Sequence, residues 1–201
     1  MEQAPTVVLG ARFADAVGYA ATVHARQRRK DTDVPYVAHL LGVASLVLEA
    51  GGDEDLAIAA LLHDSAEDHG GESRLADVER RFGGRVAGIV RACSDSLAPE
   101  GAPKQDWETR KREHLARLAS ADPDALVVWA ADKVHNSRSL VTDLEVGRDV
   151  LAGFHAAPDR VLWYYEANLD LLESRGVTDL LLVPLGGSVA RLRALLGALP
   201  S

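Results

Sequence analysis

A single cysteine, Cys93, stands in 201 residues. One thiol closes no disulfide within the chain and excludes a Cys-rich zinc site. It fits a reducing cytoplasm, and Cys93 itself reads as a small buried hydrophobe. Long apolar runs are scarce too: none approaches the roughly 20 residues of a membrane span. The start, Met1-Glu2-Gln3-Ala4-Pro5, lacks the basic region and apolar core of a secretory signal. The expectation is a cytoplasmic protein with no membrane association. Positive charge is in deficit as well. Lys and Arg number 22 against 30 Asp and Glu, a net charge of -8. That balance argues against a general nucleic-acid binder. Strand-type alternation, internal repeats and low-complexity linkers are also missing.

What is present is helix. Gly, Pro and polar breaks divide the chain into helical blocks. The spacing predicts helices over 13 to about 28 and over 37–49, then one capped by Asp53 that runs through Asp68. A short amphipathic helix to Phe82 is ended by Gly83-Gly84. Val86, Ile89, Val90 and Cys93 keep three-four spacing in the next. Residues 97–104 are the clearest loop, and a charged helix covers about 105–119. Asp122-Pro123-Asp124 opens a long helix to about 144. Pro158 and Gly176 bracket another over 159–175. In the tail, an apolar run at 180–183 is interrupted by Pro184 and Gly186-Gly187, and a last amphipathic segment follows. The length suits one sizeable domain over 1–201. The fold class is all-α.

The most informative stretch is Leu61-Leu62-His63-Asp64-Ser65-Ala66-Glu67-Asp68. An apolar run ends in groups that bind or move charge. On one continuous helix His63 and Glu67 are four apart, as are Asp64 and Asp68, so both pairs project to one side. Carboxylates at the end of a buried helix are costly unless a cation meets them. Imidazole and carboxylate together suit Mn, Fe, Zn or Mg. A solvated helix tip is the plainer reading of that segment alone. Two further helices change the balance. Asp132 ends the apolar run Leu126-Val127-Val128-Trp129-Ala130-Ala131, and His39 opens a third apolar helix. Three apolar helices each deliver a ligand-type residue at an edge, the pattern of a metal site between packed helices. Two basic clusters, Arg26-Gln27-Arg28-Arg29-Lys30 and Arg110-Lys111-Arg112, are read either as solvated faces or as a grip on a small polyphosphate.

Four blocks, in order, carry a resemblance. They are His24-Ala25-Arg26-Gln27-Arg28-Arg29-Lys30, Pro35-Tyr36-Val37-Ala38-His39, Ala60 through Asp68, and Ala131-Asp132-Lys133-Val134-His135-Asn136-Ser137-Arg138. The chain resembles the HD-domain metal-dependent phosphohydrolases. Within them it is similar to the stand-alone hydrolase domain of RelA/SpoT homologues, the small alarmone hydrolases. The likeness covers about 13–175 and leaves 177–201 as a C-terminal helical extension. It implies an HD-type helical bundle that holds one divalent metal, usually Mn²⁺, on His39, His63, Asp64 and Asp132. It assigns water activation to Glu67 and Asp68. It places Arg29 and Lys30 near the substrate and Tyr36, Asn136 and Arg138 in its pocket. His24 is expected to pack or hydrogen-bond, and His135 to support the ligands. The implied substrate is a small-molecule nucleotide, guanosine tetra- or pentaphosphate, which loses its 3′-pyrophosphate. The family's usual His-Pro is His39-Leu40 here, and Cys93-Ser94-Asp95-Ser96-Leu97 only loosely matches its Thr-Asp motif. Two alternatives remain: an HD phosphohydrolase for another nucleotide or phosphoester, and a catalytically silent metal- or nucleotide-binding module.

Overall fold

The computed structural model describes residues 7–30, 32–97, 105–148 and 157–198. The regular elements are helices: α1 (Ala11–Val23), α2 (Val37–Glu49), α3 (Glu54–Leu62), α4 (Ser65–Asp68), α5 (Gly71–Phe82), α6 (Gly84–Cys93), α7 (Trp107–Leu118), α8 (Pro123–Glu145), α9 (Pro158–Ser174) and α10 (Asp179–Gly197). The expectation of an all-α fold is met. The expected loop falls largely on 98–104, outside the described residues.

Helix α3 is central. Leu56 through Leu62 are all buried, leaving no face for water, and a helix apolar all round belongs inside. α1, α2, α6 and α8 pack around it. Asp53 accepts a hydrogen bond from the Leu56 amide at 3.0 Å, satisfying one donor the helix start leaves open. α2 turns His39, Leu40, Val43, Ala44 and Val47 inward and keeps the bounds its spacing predicts. α8 begins on Pro123 after the cap Asp122 and carries Trp129, Asp132 and Lys133 into the interior.

Four expectations are corrected. First, α1 ends at Val23 rather than near 28. Beyond it the Arg29 amide donates to the Val34 carbonyl at 2.8 Å, and the Tyr36 amide to Gln27 at 3.1 Å. The turn-forming Thr32, Asp33 and Pro35 favour this hairpin over further helix. Second, the helix through Asp68 breaks at His63-Asp64. Ser65 Oγ donates to the Leu62 carbonyl at 2.7 Å and His63 Nδ1 to the Ala60 carbonyl at 2.8 Å. Side chains thus take carbonyls that the ladder would use, and the even offset from His63 to Glu67 is lost.

Third, α10 runs unbroken through Pro184, Gly186 and Gly187. Its stripe of Leu181, Leu185, Val189, Leu192 and Leu196 is buried, and the helix lies on α8 and α9. A helix-interior proline costs about 3 kcal/mol. Five buried aliphatic side chains at about 1.5–3 kcal/mol each outweigh it. Fourth, this same helix, 19 residues with an 18-residue window of mean hydropathy 1.4, is long and apolar enough by length and composition to cross a membrane. The expectation that no such stretch exists is therefore wrong. Arg191 and Arg193 tie α10 to Glu145 at 2.6 Å and Glu166 at 2.8 Å.

α7 docks through His114 and Leu118, both buried. His114 Nε2 donates to the Ala92 carbonyl at 2.8 Å, and its ring meets Trp129 edge-on with centroids 4.6 Å apart. Burial, then the cations Lys133, Arg117 and Lys111, hold this imidazole down at about 4. An unfolded His titrates near 6.5. Above that pH neither state holds the proton; between there and about 4 only the unfolded chain does. The stability His114 contributes is therefore complete above about pH 6.5 and falls by up to about 3 kcal/mol as pH drops. Urea unfolding of wild type and His114→Gln between pH 7.5 and 4 measures this. The wild type should lose stability more steeply, by up to one proton; equal slopes would rule the effect out.

Candidate functional site

Four side chains from three directions converge where α2, the end of α3 and α8 meet. His39 Nε2 lies 3.2 Å from Asp132 Oδ1 and 3.6 Å from Asp64 Oδ2. His63 Nε2 lies 3.0 Å from Asp64 Oδ2 and 3.6 Å from Asp132 Oδ1. The candidate ligand atoms of His39, His63 and Asp64 all fall within 4.8 Å of one another. His39 and His63 are 1% exposed, and the Nε2 atom of each is buried without a hydrogen-bond partner. Such orphans are expensive unless something fills the space between them. The other nitrogen of each ring is engaged. His63 Nδ1 donates to the Ala60 carbonyl, and His39 Nδ1 meets His135 Nδ1 at 3.0 Å. His63 donates at Nδ1, so its neutral ring presents the Nε2 lone pair, the tautomer a metal requires; His39 presents the same where its Nδ1 donates to His135. Two imidazoles and two carboxylates in this arrangement fit a divalent cation.

The carboxylate oxygens that face the imidazoles also accept hydrogen bonds from other side chains. Tyr36 Oη donates to Asp64 Oδ2 at 2.6 Å, and Asn136 Nδ2 to Asp132 Oδ1 at 2.6 Å. Lys133 Nζ, 2.7 Å from Asp132 Oδ2, sits 3.6 Å from the centre of the Trp129 ring. Burial would raise both carboxyls. For Asp64 the charge of a protonated His63, the form that a bound metal would replace, outweighs it, and for Asp132 the Lys133 charge does, so both are held well below the ordinary carboxylate range. Tyr36 and Asn136, expected to face substrate, are thus engaged with the acids in this structure. His135 occupies the space left by Gly42: a Cβ there would overlap its Cδ2 and Nε2.

Glu67 and Asp68 have different surroundings. Asp68 Oδ2 accepts from Gln27 Nε2 at 2.8 Å. Gln27 Oε1 accepts from His24 Nδ1 at 2.6 Å and from His69 Nε2 at 2.8 Å, which fixes the amide's orientation. Glu67 turns the other way, and its Oε2 accepts from the Asp95 amide at 2.8 Å. Burial, then the Asp95 and Asp64 charges, raise Glu67 to about 8. Burial and Asp64 raise Asp68 as well.

The two basic clusters part company. Arg28, Arg29 and Lys30, with Thr32 and Asp33, line an open hollow of about 500 Å³. Burial, then the charges of His39, Arg29 and Arg138, lower His135 to about 4. In the second cluster, Arg110 and Lys111 bind Asp95 Oδ2 at 2.6 and 2.8 Å. Arg112 pairs with Glu108 at 2.8 Å. The roles of Gln27, Asp95, Lys133 and Gly42 escaped sequence reasoning. Gln27 and Asp95 act on partners distant in sequence, and Gly42 and Lys133 on neighbours that only the packing reveals.

Gly42→Ala should push His135 off His39 and leave the cage unsupported. Loss of a partner behind a ligand typically weakens metal binding about 10–100-fold. Titration calorimetry with Mn²⁺ should show that loss with the circular dichroism spectrum unchanged. Wild-type affinity in the variant would mean that His135 does not support the ligand.

Comparison with known proteins places this geometry. The HD domain family model matches residues 16–152. The guanosine-3′,5′-bis(diphosphate) 3′-pyrophosphohydrolase MESH1 of Drosophila melanogaster is 38% identical over 140 residues, covering 68% of this chain and 74% of that protein. The Homo sapiens MESH1 is 36% identical over 133 residues, 65% of this chain and 70% of that one. A solved structure of a metazoan ortholog of SpoT, described as hydrolysing ppGpp, superposes with a TM-score of 0.77 at 32% identity. It covers 94% of this chain and 99% of its own. The chain belongs to the HD-domain family.

Proposed function

We propose that this protein is a divalent-metal-dependent hydrolase that removes the 3′-pyrophosphate of guanosine tetra- or pentaphosphate, giving GDP or GTP and pyrophosphate. The observation that carries the reading is the pair of buried, partnerless Nε2 atoms of His39 and His63 facing Asp64 and Asp132. The relatives named above, and what they hydrolyse, supply the substrate class. His39, His63, Asp64 and Asp132 would hold the metal, and Mn²⁺ is the ion we assign.

When bound, the ion supplies Lewis-acid polarisation of a phosphoryl oxygen and acidifies a water. The rest falls to the chain. Water adds to the phosphorus next to the ribose, the bond to the 3′-oxygen breaks, and that oxygen leaves with a proton. One group must take a proton and another give one. Glu67, raised to about 8, keeps its proton near neutrality and suits the donor role. Asp68, oriented by Gln27, suits the acceptor role. Arg29 and Lys30 grip the pyrophosphate from the hollow they line. Because the chain carries -8 overall, those local cations counter its repulsion of a polyanion.

A thermal melt in Mn²⁺ tests the cage, since a ligand specific to the folded state raises the melting temperature. Chelator should lower it, and Asp64→Ala should abolish the difference. A full shift in that variant would remove Asp64 from the ligand set.

Substrate is tested by assaying guanosine tetraphosphate, its adenosine counterpart and dAMP side by side with Mn²⁺. The guanosine tetraphosphate should be preferred over dAMP. Lys30→Ala should raise its KM about ten-fold, from a lost charge-assisted bond of about 1.5–3 kcal/mol. If dAMP is the best substrate, the alarmone reading gives way to a general HD nucleotidase.

A further inference from the structure

Asp95 is an acid whose surroundings the proposed chemistry leaves unexplained. It follows α6, and its side chain is 1% exposed. A carboxylate so deeply buried is costly without cations, and α7 supplies two. The Arg110 guanidinium and Lys111 ammonium both bind Oδ2, at 2.6 and 2.8 Å. About two turns further along α7, Arg117 donates to the Asp95 carbonyl at 2.9 Å. Arg110 and Lys111 lie four and three residues before His114, and Arg117 three after it, so one helix face delivers all these contacts. His114 anchors that face under α6.

The other oxygen, Oδ1, is buried and has no partner. The carboxyl beside it is Glu67, whose Oε2 accepts from the Asp95 amide at 2.8 Å. An ionised Glu67 offers Oδ1 nothing but repulsion. A protonated Glu67 offers it an O–H donor, and both carboxyls are then satisfied. We propose that Asp95, clamped by Arg110 and Lys111, is the positioning residue that orients Glu67 and keeps its proton in place. It acts through a carboxyl–carboxylate bond at Oδ1 and the amide bond at Oε2. The basic pair of α7 therefore serves the acid rather than the substrate phosphates. The charged groups facing Glu67 are Asp64 on its own turn and Asp95, with Arg110 and Lys111 behind Asp95.

The inference rests on the catalytic reading of Glu67, so its test has an arm without turnover. The infrared carboxyl band of Glu67 is followed against pH in the metal-free protein and identified by its absence in Glu67→Gln. In Asp95→Asn it should titrate at clearly lower pH, because the adjacent negative charge is gone. An unmoved band overturns the proposal whether or not the protein hydrolyses alarmone. Failure of wild type on every phosphoester with a moving band sinks only the functional reading. In turnover with guanosine tetraphosphate and Mn²⁺, Asp95→Asn should lower kcat ten-fold or more with KM within two-fold. The limb of the pH profile that Glu67→Gln abolishes should shift to lower pH. Lys111→Met covers the case in which Asp95→Asn does not fold: it should also lower kcat at constant KM, with Lys111→Arg restoring much of the loss. A rise in KM at constant kcat in Lys111→Met would make Lys111 a phosphate ligand and overturn the proposal.

Discussion

Two carboxylates set among apolar helices, Asp132 buried and Asp64 half-buried, decide the terms for this structure. Asp132 is 3% exposed on the inner face of the longest helix, and Asp64 lies opposite. Removing such charges from water costs several kcal/mol each even after relaxation. The fold answers with a ring of donors and cations: Lys133 and Asn136 on Asp132, Tyr36 on Asp64, and His39 and His63 between them. They come from α2 and the residue that caps it, the end of α3, and α8. α2, α3 and α8 therefore have little freedom to shift against one another without stranding a charge. The apolar contacts around α3 stabilise the bundle; the acids decide its register at this end.

Around that cage the two remaining acids are differentiated by what touches them. Asp68 leans on a neutral amide, and Glu67 leans on another acid. Burial and Asp64 raise both carboxyls, and the Asp95 charge beside Glu67 helps take that one to about 8. The same logic separates the basic residues. Those after α1 line an open hollow, while two of those on α7 are spent on a buried carboxylate. Identical charges in the sequence thus have opposite exposure and different work.

Much of this was legible in the residues. Apolar runs that end in His63-Asp64 and Asp132 announced a site between helices, and the bounds of α2 follow from Gly51-Gly52 and its stripe. What stayed hidden shares one cause. Gln27 to Asp68, Tyr36 to Asp64 and His39 to His135 join residues 41, 28 and 96 positions apart. No local periodicity encodes such pairings. The break at His63 was hidden for the opposite reason: it is too local. Two side-chain bonds to the carbonyls of Ala60 and Leu62 unseat a helix that every propensity favours. Pro184 misled because a strong local signal lost to the buried stripe on either side of it.

The C-terminal helices reach the cage through a chain of contacts. Asn168 of α9 accepts from Trp129 Nε1 at 2.6 Å and donates to the Tyr164 backbone carbonyl at 2.7 Å, so the Trp129 ring is tied to α9. Lys133 lies between the Trp129 and Tyr164 rings, 3.6 Å from the centre of the first and 5.3 Å from that of the second. An ammonium desolvated between two aromatic faces recovers part of its lost hydration from their quadrupoles. It recovers more from Asp132, 2.7 Å away. Held there, Lys133 occupies Oδ2 and leaves Oδ1 as the atom turned toward His39 and His63. α10 packs across both α8 and α9 and closes that assembly from outside. The last two helices therefore orient Asp132 without touching it, and a segment that sequence reading set aside as an extension belongs to the support of the site.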